Sequence, residues 1–194
     1  MPGETKQKFE TGKLPHAVLD SLISKLPKMN KQVRIGPAVG VDAAAVCMGD
    51  RVLLAKSDPI TFASEQQGRY AVHVNANDIA CMGGTPKWFL ATILLPEKND
   101  RHSDILEKIV DDLSKTCREI GVAIVGGHTE ITAAVTQPLI AGTMLGESSP
   151  EDVLDIRNCR PGDRILLVAG VAIEAAAIIA QHCNHELSEI FDFE

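Results

Sequence analysis

Three apolar segments of this chain carry an aspartate at one end, and this pattern limits the folds that the chain can adopt. The three residues are Asp42, Asp58 and Asp78. A fold that packs these segments into one core can gather the three carboxylates in one place. Oxygen-rich sites suit Mg²⁺, which takes one or two carboxylates and leaves its other positions to water and phosphate oxygens. The pattern therefore predicts a site for a metal-bound, anionic ligand.

A fourth polar cluster, Gly126 to Glu130, follows another apolar run and reads Gly-Gly-His-Thr-Glu. Glycines at such a turn allow backbone amides to approach phosphate oxygens. Several aspartates would repel a nucleotide, so a metal ion is needed to reverse the local charge. Together, the aspartates and this cluster predict Mg-nucleotide chemistry.

Composition narrows the class of protein. The chain has 194 residues, a formal net charge of -7 and 45% hydrophobic residues, which suffices for a core. The absence of a basic stripe with interleaved aromatic residues argues against nucleic-acid binding. No apolar stretch reaches the roughly 18 to 20 residues of a membrane helix. The five cysteines are odd in number and widely spaced, which favours a reducing compartment. A cytoplasmic protein without a membrane partner is the expectation.

A β-hairpin is predicted around the first two aspartates. Ala43 to Met48 and Arg51 to Lys56 have strand character, and Gly49-Asp50 between them is suited to a tight turn. The hairpin places Asp42 before one strand and Asp58 after its partner. The two carboxylates can therefore share one end of the sheet.

The remaining N-terminal residues predict helices alternating with strands. Ser103 is the expected N-cap of the last of these helices, and Gly121 marks its end. The order predicts an α+β domain with a mixed or antiparallel sheet. The predicted helices are Leu14–Leu26, Gly68–Met82 and Ser103–Ile120, and the further strands are Lys87–Leu95, Val122–Val125 and Pro138–Leu145.

A change of composition after Gly146 predicts a domain boundary. A polar stretch and the turn Pro161-Gly162 precede a strand over Arg164–Ala169 and a helix over Ile173–Gln181. A single βα unit cannot bury both of its faces. We therefore expect residues 1–147 to form one domain and residues 148–194 to begin a second, α/β domain that is truncated here.

Five short motifs occur in an order that resembles the aminoimidazole ribonucleotide (AIR) synthetase-like superfamily. They read Gly-x-Asp-x-Ala-Ala at Gly40, Ser-Asp at Ser57, Asn-Asp-x-x-x-Met-Gly-x-x-Pro at Asn77, Gly-Gly-x-Thr at Gly126 and Pro-Gly-Asp at Pro161. The similarity runs from about Gly36 to Ile179. Within the superfamily the chain looks closest to hydrogenase maturation factors, thiamine-monophosphate kinases and selenophosphate synthetases.

The resemblance implies a fold, a reaction and a set of site residues. It implies an AIR synthase-like N-terminal ATP-binding domain that forms a homodimer with a barrel-like core, and an ATP- and Mg²⁺-dependent reaction that phosphorylates an amide-type or similar oxygen. The acceptor would be a small molecule or a protein-bound group. No catalytic residue is assigned. By this resemblance Asp42, Asp58 and Asp78 are metal-site residues, and Asn77, Gly126, Gly127, His128, Thr129 and Glu130 are nucleotide contacts.

Departures from the family pattern leave alternatives open. Val41 stands where relatives usually have the first of two aspartates, and His128 stands where an acidic residue is common. His128 could contact phosphate or be merely hydrogen-bonded, and Glu130 could supply the missing carboxylate. Each aspartate could also be structural, with Asp78 and Asn75 on a solvated helix face.

Two other functions compete with the enzyme hypothesis. One is a noncatalytic, dimeric nucleotide-binding scaffold or sensor that lacks a full second domain. The other is a metal-binding protein without nucleotide, which would leave the glycine motifs unexplained.

Overall fold

The computed structural model describes residues 8–27, 30–61, 65–183, 185 and 187. These residues form a mixed six-stranded sheet with two helices packed on one side. The strands are β1 (Val33–Ile35), β2 (Ala44–Met48), β3 (Arg51–Ile60), β4 (Thr85–Pro96), β5 (Ala123–Thr132) and β6 (Leu139–Ser148). The helices are α1 (His16–Ile23), α2 (Gln67–Cys81), α3 (His102–Glu119) and α4 (Ile173–His182). In the sheet order β1-β2-β3-β6-β4-β5, β4 and β5 are parallel and the other neighbours are antiparallel.

The β2–β3 hairpin confirms the sequence prediction, except at its far end. The strands pair from Met48 with Arg51 to Ala44 with Ala55. β3 then continues beyond Lys56, because β6 pairs with it as far as Ile60. Asp58 therefore lies within a strand and not after one, so that part of the prediction is wrong.

The core lies between the sheet and the pair α2 and α3. α2 confirms the helix predicted over 68–82 and buries Ile79 completely. Gly68 allows α3 to approach closely, since a Cβ there would lie 2.7 Å from the carbonyl oxygen of Ile109. The sheet contributes large buried side chains, among them Phe89 and Met144, which are both 0% exposed.

The two faces of the sheet differ in what covers them. Alternation along the strands places Lys56, Asp58, Phe89 and Met144 on the side of α2 and α3, the covered face. The alternate side chains of β3, β4 and β6 form the other side, the open face, where many are half-buried, although Ser57 and Pro59 are exposed. The half-buried side chains of the open face include Leu53, Ala55, Leu90, Thr92, Leu94, Ala141, Thr143 and Leu145.

The Gly-Gly-His-Thr-Glu cluster is part of a strand. β5 pairs with β4 from Ala123 to Thr132, so the prediction of a short strand followed by a glycine turn is wrong. Gly127 has φ 153°, and a Cβ at this position would lie 2.0 Å from the carbonyl oxygen of Ala91. The glycine allows the two backbones to approach, and the pairing therefore continues through the cluster.

Two local predictions fail for different reasons. α3 begins at His102 without a side-chain cap, so Ser103 is a helical residue and not the N-cap. Arg164–Ala169 forms no strand, and the side chains of Ile165 and Val168 are 98% and 87% exposed. A strand needs a neighbour for its backbone groups, and the described part of the chain supplies none there.

The terminal helices confirm the expected positions. α1 is shorter than the predicted 14–26, and α4 begins at Ile173 as predicted. Among the helices of the described ranges, none has both the length and the apolar content that crossing a bilayer requires.

Candidate functional site

Lys56 lies between two of the predicted metal-site residues. Its Nζ is 2.8 Å from Oδ2 of Asp78 and 3.3 Å from Oδ2 of Asp58. The two carboxylate oxygens are therefore no further apart than the sum of these distances. β3 presents Lys56 and Asp58 on the covered face, and α2 brings Asp78 to them. The side chains are 19%, 38% and 21% exposed in the order Lys56, Asp58, Asp78, so a ligand can reach them from solvent.

Asn75 fixes the relative position of β3 and α2 at this cluster. Its Oδ1 accepts a hydrogen bond from the Asp58 backbone N–H at 2.8 Å. Its Nδ2 donates to the carbonyl oxygens of Asp58 at 3.3 Å and Ala71 at 2.8 Å. The pairing of β2 with β3 ends at Ala55, so the Asn75 amide takes the place of a strand partner for Asp58. Asn75 is 0% exposed and lies one helical turn before Asp78, which rules out a solvated helix face for Asn75.

Gly142 provides the space that Asn75 occupies. It pairs with Asp58 across β6 and β3. A Cβ at Gly142 would lie 2.6 Å from Nδ2 of Asn75 and 2.8 Å from two ring atoms of Phe89. Contacts this short require the neighbours to move, and both neighbours are fully buried. The sheet thus needs glycine at this position for α2 to dock with its amide side chain inward.

Asp42 belongs to the same electrostatic environment. Burial raises the pKa of Asp78, Lys56 acts in the opposite sense, and the carboxylates of Asp58 and Asp42 raise the pKa further. Burial alone lowers the pKa of Lys56, but Asp78 and Asp58 outweigh it, so the pKa of Lys56 is raised. Asp58 and Asp78 thus lie together, and Asp42 is near enough to Asp78 to affect its charge.

A cavity of about 520 Å³ lies beside Asp42, although neither Asp58 nor Asp78 lines it. It is lined by Asp42, by Cys81 at the end of α2, and by residues of the segment from Val153 to Asp163. The volume falls within the range of small-molecule sites. Another depression, of about 430 Å³, lies near Gln66 and the start of α3, away from the aspartates.

The β5 cluster lies away from the aspartates within the protomer. β6 and β4 separate β3 from β5, so the strands are about 14 Å apart at ordinary strand spacing. His128 pairs with Thr92 and Glu130 with Leu94, which places both on the open face. Gly127 and Thr129 are on the covered-face side of β5, and Gly126 pairs with Leu90.

The residues predicted as nucleotide contacts on β5 and α2 are exposed to solvent. His128 Nε2 and Glu130 Oε2 are 2.9 Å apart, with side chains 61% and 47% exposed. β5 is an edge strand, so alternate backbone amides point away from β4. Asn77 is exposed on α2, next to Asp78 in sequence.

The donor chemistry fits Mg²⁺ shared with a phosphate ligand. In the described ranges no three histidine, cysteine, aspartate or glutamate side chains form a ready metal-binding group. Mg²⁺ needs only one or two carboxylates when phosphates and water complete its shell. Asp58 and Asp78 can supply these two, with Asp42 nearby.

Lys56 and Asn75 are site residues that the motifs did not reveal. Lys56 is two residues before Asp58, so strand alternation alone places both on one face. Asn75 is four residues after Ala71 and four before Ile79, so helical periodicity places it toward the core. Both signals are present in the sequence.

Comparison with known proteins agrees with this architecture. Residues 40–148 match the family model of the AIR synthase related protein, N-terminal domain. A thiamine-monophosphate kinase of Pyrococcus horikoshii is 30% identical over 150 residues, which are 73% of this chain and 46% of that protein. The chain spans about half the length of the curated relatives it matches.

Two solved structures of hydrogenase maturation protein HypE are also similar. One is 31% identical with a TM-score of 0.59, covering 71% of this chain and 44% of HypE. The other, HypE in complex with ATP, is 26% identical with a TM-score of 0.50, covering 74% of this chain and 39% of HypE. With residues 40–148 matching the family model, the chain belongs to the AIR synthase related protein family through its N-terminal domain.

Proposed function

We propose that this chain binds ATP with Mg²⁺ and that the protein transfers the γ-phosphoryl group to an amide-type or similar acceptor oxygen. The observation that carries the proposal is the convergence of Asp58 and Asp78, with Asp42 nearby at the edge of a cavity of about 520 Å³. The relatives described above include a kinase and a protein whose structure contains ATP. The domain division at residue 147 is part of the same proposal.

The residues of the cluster have distinct tasks in this reaction. Asp58 and Asp78 would hold the metal ion, with Asp42 as a direct or water-mediated contact. The bound ion would neutralise the phosphate charge that three carboxylates would otherwise repel. Phosphoryl transfer depends mainly on positioning and charge stabilisation, so it requires no protein nucleophile. Asn75 joins α2 to β3 and so holds the two metal-binding carboxylates in fixed relative positions. The cavity beside Asp42 would receive the acceptor.

The open face of the sheet is a candidate interface for a second copy of the chain. Within one protomer His128 and Glu130 lie on the open face, away from the aspartates. The open face is rich in half-buried apolar side chains, including Leu53, Leu90 and Leu145. Packing two such faces together would cover this apolar surface, as a twofold interface does. We therefore propose a homodimer formed through the open face.

Dimer formation predicts a mass of twice 20.8 kDa in light scattering at micromolar concentration. Leu145→Glu should shift the protein to the monomer, since it buries a carboxylate in the interface without entering the core. Val110→Glu, on the exposed outer side of α3, is the matched control and should leave the dimer intact. A wild-type chain that is monomeric at these concentrations would contradict the interface.

The nucleotide proposal is tested by calorimetric titration with a nonhydrolysable ATP analogue. With Mg²⁺ present we expect saturable binding, and with EDTA we expect affinity to fall about tenfold or more, because the carboxylates then repel the phosphates. Equal affinity in both buffers would refute a metal-bridged site. Turnover of ATP with candidate acceptor amides then separates an enzyme from a noncatalytic scaffold.

A further inference from the structure

The position between Asp58 and Asp78 is already filled by a cation. Lys56 Nζ is within 3.3 Å of a carboxylate oxygen of each residue. Within the described ranges, no other basic side chain has an ion pair with either carboxylate. Lys56 is therefore the internal counter-ion of this cluster.

A divalent ion and this ammonium group cannot occupy the cluster together. Mg²⁺ requires ligand oxygens at about 2.0 to 2.1 Å, so an ion bound to both carboxylates would take the space that Nζ occupies. The two positive charges would also repel each other at this range. A lysine side chain has a flexible four-carbon stem, so its charged end can move while the strand stays in place.

We propose that Lys56 holds the cation position of the free protein and competes with a divalent metal ion for Asp58 and Asp78. When the metal ion arrives with a nucleotide, the displaced ammonium group pairs with a phosphate oxygen. Metal ion and nucleotide then bind more tightly together than separately. The phosphate provides a partner for the ammonium group that the metal ion displaces, and the metal ion balances the carboxylates that would repel the phosphate. The phosphate step rests on the function proposed above, whereas the competition does not.

The competition is tested with Mn²⁺ alone, by electron paramagnetic resonance without nucleotide. Lys56→Met should bind Mn²⁺ about tenfold more tightly than the wild type, since the two carboxylates are freed. Arg51→Met is the matched control, because Arg51 is on the same strand with an exposed ion pair at 3.8 Å to Glu147. Its Mn²⁺ affinity should equal that of the wild type.

Lys56→Arg provides a second variant that keeps the positive charge. It should retain weak Mn²⁺ binding, and circular dichroism should show that both Lys56 variants are folded. In Lys56→Met, added Asp58→Asn should remove the gain in affinity. Mn²⁺ affinity in folded Lys56→Met that is equal to or weaker than wild type would overturn the proposal.

Measuring Mn²⁺ binding in the presence of nucleotide separates this inference from the proposed function. In the wild type a nonhydrolysable ATP analogue should tighten Mn²⁺ binding, and in Lys56→Met this coupling should be weaker, because only the part that depends on the displaced ammonium group is removed. If the analogue does not bind the wild type at all, the proposed function fails, yet a Mn²⁺ gain in Lys56→Met still supports the competition. If the analogue binds and couples equally in both proteins, transfer of the ammonium group to phosphate is overturned.

Discussion

Asp78→Asn is expected to lower the affinity for a Mg²⁺-bound ATP analogue about a hundredfold, because it removes one of the two carboxylates that can coordinate the metal ion. An amide is nearly the same size but carries no charge, so it neither balances the ion nor retains Lys56. Calorimetry in saturating Mg²⁺ measures the change. Asp111→Asn, an exposed carboxylate on α3, is the control and should bind like the wild type.

The same substitution should leave the fold intact. Burial and the neighbouring carboxylates raise the pKa of Asp78, so the ionised side chain is less favourable in the folded than in the unfolded protein near neutral pH. A neutral side chain avoids this cost but loses the contact with Lys56. We therefore expect the free energy of unfolding to change by less than about 1 kcal/mol. Unchanged nucleotide affinity in a folded Asp78→Asn protein would remove Asp78 from the site.

Asn75→Ala is expected to destabilise the protein by about 3 kcal/mol. The change removes three hydrogen bonds and leaves the backbone N–H and carbonyl groups of Asp58 without a partner inside the protein, at a cost of about 1 to 3 kcal/mol for each unsatisfied group. Entry of water would recover part of this cost. Urea unfolding followed by circular dichroism measures the loss.

Asn77→Ala is a matched control for Asn75→Ala, because it removes the same side chain two residues later on an exposed position of α2. Its unfolding free energy should stay within about 0.5 kcal/mol of wild type, as for ordinary surface substitutions. Its nucleotide affinity should fall, since Asn77 is a proposed phosphate or metal-shell contact. Equal stability losses in the two variants would show that Asn75 has no special role in holding β3 to α2.

Local patterns predict much of this fold because local interactions determine it. The Gly49-Asp50 turn suits the hairpin, and apolar spacing along α2 matches the face that it buries. The approach of Asp58 and Asp78 follows from the docking of α2 against β3, and the pairing of β2 with β3 brings Asp42 to the same end of the sheet. These relationships depend on neighbouring segments, which the sequence displays directly.

Long-range pairing explains what sequence patterns missed. Gly126 and Gly127 look like turn residues, but β4 supplies a parallel partner that holds them in a strand. Arg164–Ala169 looks like a strand, but no described segment pairs with it. In both cases the residue types allow either conformation, and a neighbour far away in sequence decides which one forms.

The placement of Lys56 shows the same limitation at the site. A lysine in a strand is usually a solvated side chain, and only the docking of Asp78 from α2 turns it into a counter-ion. The separation of His128 and Glu130 from the aspartates likewise depends on the strand order, which inserts β6 and β4 between them. Motif order carries no information about that spacing.

The most direct test is anomalous scattering from crystals grown with Mn²⁺ and a nonhydrolysable ATP analogue. We expect a Mn²⁺ peak about 2.0 to 2.2 Å from carboxylate oxygens of Asp58 and Asp78, with phosphate oxygens of the analogue in the same coordination shell. A nucleotide bound with its phosphates and metal ion away from these two side chains would contradict it.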